Sequence, residues 1–183
     1  MFSGMISQLS DRARLLWFGP PVLLLVVILV MMFYFNHEPE PFNPVARTTL
    51  YAQERGQSVV PGYTTTATMI ESVNVLLNKR GGYMSNDIMP PWVFLDNVPN
   101  WEFGALTQIR DLARAMRNDF SRSQTQSTED PDLSEADPLF HYDNARWIPP
   151  DTEGRYRKAN QALERYLDRL SSRSDTEAQF YAR

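Results

Sequence analysis

LLWFGPPVLLLVVILVMMFYF, residues 15–35, contains no charged side chain. An α-helix rises about 1.5 Å per residue, so about 20 apolar residues cross a hydrocarbon core. From Val22 to Phe35 the run is almost entirely Val, Leu, Ile, Met and Phe. Roughly ten strong apolar residues at about −0.4 kcal/mol each favour insertion by on the order of 4 kcal/mol, with no charge opposing. Residues 15–36 therefore read as a transmembrane helix; the core helix of a soluble domain rarely reaches this length and purity. Gly19-Pro20-Pro21 places the start of the regular helix near Pro20 or Pro21, because proline suits a first turn. Trp17 and Tyr34 then fall at the two interfaces.

A removable export leader needs small residues just after its apolar region. This chain has MMFYFNHEPEPF there, bulky and then acidic and proline-rich, so an uncleaved anchor is the better reading. Arg12 and Arg14 precede the span, and Glu38 and Glu40 follow it. The positive-inside rule then puts the N-terminus in the cytoplasm and the rest in the periplasm of a bacterium, as a single-pass inner-membrane protein.

Outward from this anchor, residues 1–14 form a leader in which Phe2, Met5, Ile6, Leu9 and Ala13 recur at helical spacing, an amphipathic pattern. Residues 37–63 read as a spacer kept extended by Pro39, Pro41 and Pro44, with a short helix about Arg47 to Arg55 and punctuation at Pro61-Gly62. Residues 64–183 are expected to be one mainly α-helical, bundle-like periplasmic domain. Its first helix is capped by Thr64 to Thr66, buries Met69, Ile70, Val73, Leu76 and Leu77, and ends in the basic turn Lys79-Arg80 before Gly81-Gly82. The second runs from about Trp101 to Ser121, with Phe103, Leu106, Ile109, Leu112, Ala113, Met116 and Phe120 inward. The third runs from about Thr152 to Ser171, with Tyr156, Ala159, Leu163, Tyr166, Leu167 and Leu170 on one stripe and Glu164, Arg165, Asp168 and Arg169 on a solvated face. The connections between them are long, rich in proline and aromatics, and read as loops without strand alternation. Phe180 and Tyr181 have no later segment to pack against, which reads as an interrupted end.

The 183 residues carry a net charge of −4 and no cysteine. That excludes disulfides, thiolate metal sites and cysteine nucleophiles, and the absence of a basic cluster argues against nucleic acid. No phosphate-binding loop, GxSxG, HExxH or dinucleotide glycine pattern occurs. His141 with Asp137 and Asp143 is too thin a set for a metal, and those acids suit turns or caps instead. No cofactor is expected. The best carboxylate constellation for general acid–base work is Asp87, Asp96 and Glu102, although turn positions and a helix start explain all three without a substrate. Trp92, Phe94, Trp101 and Trp147 either close the core or line a partner groove. Arg110, Arg114 and Arg117, on the charged face of the second helix with Asp111 and Asp119, are candidates to join Trp92, Phe94 and Trp101 in a partner surface.

The block GGYMSNDIMPPWVFLDNVPNWEFGALTQIRDLARAMRNDFSRSQTQSTEDPDL (81–133), with ALERYLDRL and AQFYAR later, resembles the DUF2333 family of uncharacterised gammaproteobacterial inner-membrane proteins. The resemblance implies an envelope protein with one N-terminal span and a chain continuing beyond AQFYAR; it implies no reaction and no catalytic residue. The expected function is a non-enzymatic scaffold or protein-interaction module in contact with the bilayer and with a protein partner or a second copy. The alternative is an envelope hydrolase acting on a glycan or peptide through a carboxylate pair.

Overall fold

The structure, a computed structural model, describes residues 11–122, 128–146, 151–172 and 178–181, with the backbone alone at 11–15. The leader's Phe2, Met5, Ile6 and Leu9, and Trp147, lie outside the described residues. Among the described residues the secondary structure is helical throughout, with no strand. Helix α1 spans Asp11–Phe35 and α2 spans Pro44–Arg55. Helix α3 is Tyr63–Asn78 and α4 is Asn97–Ala115, continued by a π-turn at Met116–Phe120. Helices α5, Pro131–Phe140, and α6, Thr152–Ser171, complete the fold.

Helix α1 is already helical at Asp11, the first described residue, and passes through Pro20 and Pro21, so the expected start at the prolines is corrected. The two missing N–H groups leave only the carbonyls of Leu16 and Trp17 without helical donors, near one end of the apolar run. Among the described residues, Leu16–Phe35 is the one helix, of 20 residues, long and apolar enough to cross a membrane, and none of its apolar window is fully buried.

Helices α3, α4, α5 and α6 close into a ring: α3 packs on α4, α4 on α5, α5 on α6, and α6 back on α3. The enclosed core holds Ile70, Val73 and Leu77 from α3, Leu106 and Ile109 from α4, Leu133 and Phe140 from α5, and Tyr156, Leu163 and Leu167 from α6. The α6 stripe read from its periodicity is buried as expected, with Leu170 partly covered. Helix α2 lies on the outside of α3. Asn43 Oδ1 accepts from Ala46 N at 3.0 Å to start it, and Gly56, at φ 63°, ends it. Thr48 and Ala52 are its buried residues, so this part of the stretch read as spacer packs with the domain. Arg47 pairs with Glu71 of α3 at 2.9 Å, and Arg55 with Asp168 of α6 at 3.1 Å.

Several expectations are corrected. Helix α3 begins at Tyr63 behind Gly62, which holds φ 85°, and the threonines lie within its first turns. Thr66 Oγ1 donates to the Gly62 carbonyl instead of capping an N–H group. Phe103 is exposed, because the inward row of α4 is Val98, Glu102, Leu106, Ile109 and Ala113, continued by Met116 of the π-turn, with a carboxylate in a position that polarity alone excludes. The segment 131–140, read as loop, is a helix. Asp130 Oδ1 accepts from Asp132 N and Leu133 N, Pro131 fits the first turn, and Leu133, Ala136 and Phe140 form its buried face. The charges of α6 lie at the surface, with Arg165 and Asp168 exposed and Glu164 and Arg169 half-buried, and they are paired with neighbouring segments. Arg169 grips Asp130 at 2.7 Å, Arg165 pairs with Asp132 at 2.8 Å, and Asp168 receives Arg55 and Gln57. Phe180 does find packing: it stacks on Phe120 at 5.1 Å and lies where a side chain at Gly62 would stand, while Tyr181 N donates to Phe120 O at 2.7 Å.

The core tyrosines tie the ring to the loops. Tyr156 OH donates to Tyr142 O at 3.2 Å, Tyr166 OH to Gln179 O at 2.8 Å, and Tyr63 OH to Gln57 Oε1 at 2.7 Å. Burial raises all three phenols above their ordinary value. Because Leu163 is wholly enclosed, Leu163→Ala is expected to cost about 2–5 kcal/mol. Urea unfolding of the detergent-solubilised chain, followed by circular dichroism, measures it.

Candidate functional site

At the carboxyl end of α3 the helix stops at Asn78, and Gly81 and Gly82 turn the chain through positive φ. Lys79, the residue at the cap, does not extend into solvent as a basic last turn would. Its side chain is buried, and Nζ donates to Leu76 O at 3.3 Å, to Gly82 O and to Glu102 Oε1. Glu102 is fully enclosed. Its carboxylate also accepts from Met84 N at 2.9 Å and Ser85 N at 2.7 Å, and from the Ser85 hydroxyl. All three ammonium donors have acceptors, and each carboxylate oxygen receives more than one donor. An ion pair leaves water tolerably only when its remaining hydrogen-bonding capacity is filled in this way. Burial pulls the Lys79 ammonium below its ordinary value, while the Glu102 charge and hydrogen bond oppose the shift.

This pair holds down the base of the proline-aromatic loop. Asp87, just beyond Ser85 and Asn86, has its carboxyl raised by burial, with the charges of Glu153 and Glu102 adding to the effect and Lys79 opposing it. The structure thus brings Asp87 and Glu102 into electrostatic range and adds Glu153, at the start of α6. Asp96 stands apart, exposed at the amino end of α4 with no capping hydrogen bond from its side chain. Among the described residues no group of three His, Asp or Glu side chains converges as a metal site. His141 Nδ1 lies 3.0 Å from Asp137, and Asp143 accepts from Ala145 N at 3.0 Å in a local turn. A shallow open groove of about 510 Å³ runs between Pro39, Arg47, Glu71, Asn74, Asn78 and Lys79, and none of Asp87, Asp96 and Glu102 lines it.

The arginines offered as a partner surface are engaged within the chain. Arg110 donates to Phe140 O and Tyr142 O, both at 2.7 Å, and so caps the carboxyl end of α5. Arg114 meets His141 Nε2 at 2.8 Å, and Arg117 pairs with Glu129 at 2.7 Å and Asp137 at 3.0 Å. The aromatics divide. Trp101 packs against the core, Phe94 is exposed, and the Trp92 ring lies 5.6 Å from that of Phe35, the last residue of α1. Gly81 sits against the same ring: a Cβ there would come within 2.9 Å of Phe35 Cδ1. Arg80 lies over the Tyr34 ring at 5.3 Å. Sequence reasoning left this seam unread, although Gly81-Gly82 and Trp92 carry it.

The chain belongs to DUF2333, a family of uncharacterised proteins conserved in bacteria, whose model matches residues 12–183. No curated protein and no solved structure matches it.

Glu102→Gln and Lys79→Met are each expected to cost about 3–5 kcal/mol by stranding the other partner. The double variant should fall short of their sum by more than about 1 kcal/mol in a urea-unfolding cycle. Asp87 gives a pH signature. A carboxyl whose folded pKa is raised costs stability once ionised; that cost is absent below its unfolded value and complete above its folded one. Asp87→Asn is therefore expected to raise the urea midpoint at neutral pH, with the gain vanishing as the pH falls below the ordinary aspartate range.

Proposed function

We propose that the chain is a single-pass inner-membrane protein, anchored by α1 with its N-terminus in the cytoplasm. Its helical domain stands in the periplasm as a non-enzymatic scaffold or interaction module for a protein partner or a second copy. The observation that carries the anchor is the seam. Phe35 packs on Trp92 and against Gly81, and Tyr34 lies under Arg80, so the last two residues of α1 are in contact with the domain. A leader destined for removal has no use for such contacts. The family match, beginning at residue 12, takes in the whole apolar run. Arg12 and Arg14 before the span, with Glu38 and Glu40 after it, supply the orientation.

The non-enzymatic part rests on Glu102. A hydrolase working by paired carboxylates needs both facing substrate, whereas Glu102 is enclosed and committed to Lys79, Met84 and Ser85.

An alkaline phosphatase fused after Arg183 is expected to be active, and the full chain to stay with membranes through a carbonate wash. A fusion active only as a cytoplasmic reporter, or a soluble mature chain lacking α1, overturns the anchor. Photo-crosslinkers on the exposed faces of α4 and α6 are expected to trap protein neighbours in intact cells. Loss of cellular function in Asp87→Ala at unchanged protein level overturns the non-enzymatic reading.

A further inference from the structure

We infer that the loop over residues 88–94 is a second membrane contact, with Ile88, Met89, Val93 and Phe94 entering the interfacial layer of the leaflet from which α1 emerges. This rests on the anchor reading and adds a lipid-binding surface to it.

All four side chains are more than half exposed; outside α1 the only other large apolar side chains so exposed, among the described residues, are Val45, Leu50, Val59 and Phe103. From Ile88 to Leu95 the sequence IMPPWVFL carries no charge, and charge resumes only at Asp87 and Asp96 on either side. An exposed apolar cluster of this kind marks an interaction site, and its chemistry alone fits either protein or lipid.

Depth decides between them. The Trp92 ring centroid lies 5.6 Å from that of Phe35, where α1 ends. The headgroup layer on each side of the hydrocarbon core is roughly 5–8 Å thick, so a residue this close to the end of a spanning helix lies within that layer. Tryptophan favours that zone, and Arg80 beside Tyr34 sets a guanidinium at the same level, within reach of lipid phosphates.

The backbone is also prepared for a medium poor in water. Pro90 and Pro91 have no N–H to desolvate. Val93 N donates to Met89 O at 3.2 Å, Phe94 N to Pro91 O at 3.1 Å, and Leu95 N to Trp92 O at 2.9 Å. Each amide satisfied within the loop, as these three are, lowers the cost of entering lipid. Glu102 fixes the base of the loop through Met84 and Ser85, so its apex is presented in one position.

The chain has no cysteine, so single-cysteine variants label at one place. The full chain, as Met89→Cys or Phe94→Cys, is labelled with an environment-sensitive fluorophore and reconstituted into vesicles of phosphatidylethanolamine and phosphatidylglycerol. Val26→Cys serves as the reference within the span and Lys158→Cys as the aqueous reference on α6. Both loop side chains are exposed, so a label there leaves the core intact. The expected result is quenching of the Met89 and Phe94 labels by lipids carrying a nitroxide near the headgroup, with iodide quenching several-fold weaker than at Lys158. If both loop labels are as open to iodide as Lys158 while Val26 is quenched by lipid, the loop contact is overturned and the anchor stands. If Val26 is open to iodide as well, the anchor falls and the inference with it. Loop labels shielded from iodide but untouched by nitroxide lipids mean that protein covers the patch, which also overturns it.

Discussion

The Lys79–Glu102 pair is the constraint on which the placement of everything near α1 depends. Taking two charges out of water costs several kcal/mol per ion, and their attraction alone does not guarantee a return. Here the return comes through the main chain: the ammonium closes the end of α3 on Leu76 O and Gly82 O, and the carboxylate orders Met84 and Ser85. Two hydrophobic residues in the same places would fill the volume but leave those carbonyls and amides without partners. The pair therefore selects one path for the chain after α3 from the many that would bury equal apolar area.

That selected path has consequences outward. The Gly81-Gly82 turn lies against Phe35, and the loop beyond it sets Trp92 on the same ring. Gly81 serves here in two ways: φ of 85° is a conformation that L side chains rarely adopt, and Phe35 occupies the space a Cβ would need. The domain is thus held on α1 by an aromatic seam whose position is set by an ion pair one layer deeper. On the far side of the ring, Arg169 and Arg165 on the acids of α5, and Arg110 on the carbonyls at its end, keep a short helix in register.

What could be read from the residues follows from how far each signal reaches along the chain. The apolar run of α1 and the stripe of α6 are local signals: the run is helical, through its two prolines, and the stripe is buried apart from the half-covered Leu170. Helix α5 is hard to read because Pro138 and three acidic residues break the expected periodicity, though Asp130-Pro131 is a sound helix opening. Once α5 was taken for loop, Arg110 had no visible acceptor, since the carbonyls it caps exist only at a helix end. Glu102 shows the same difficulty more sharply. Its neighbours in the inward row are Val98 and Leu106, and the residue that makes a carboxylate acceptable there is Lys79, at the cap of α3. Pairings of this kind are tertiary, and a single sequence does not reveal them.

The composition of the proline-aromatic loop also changes meaning in this setting. In a domain surrounded by water, Ile88, Met89, Val93 and Phe94 at the surface oppose solubility and invite aggregation. With α1 spanning the bilayer as proposed, they would face a different solvent, where the same exposure is favourable. The prolines contribute by what they lack: without N–H groups, the turn has little to lose on leaving water. The acids Asp87 and Asp96 then mark where the apolar stretch stops on each side, and the raised carboxyl of Asp87 follows from its burial within the protein and from the charges of Glu153 and Glu102, with no substrate needed to account for it.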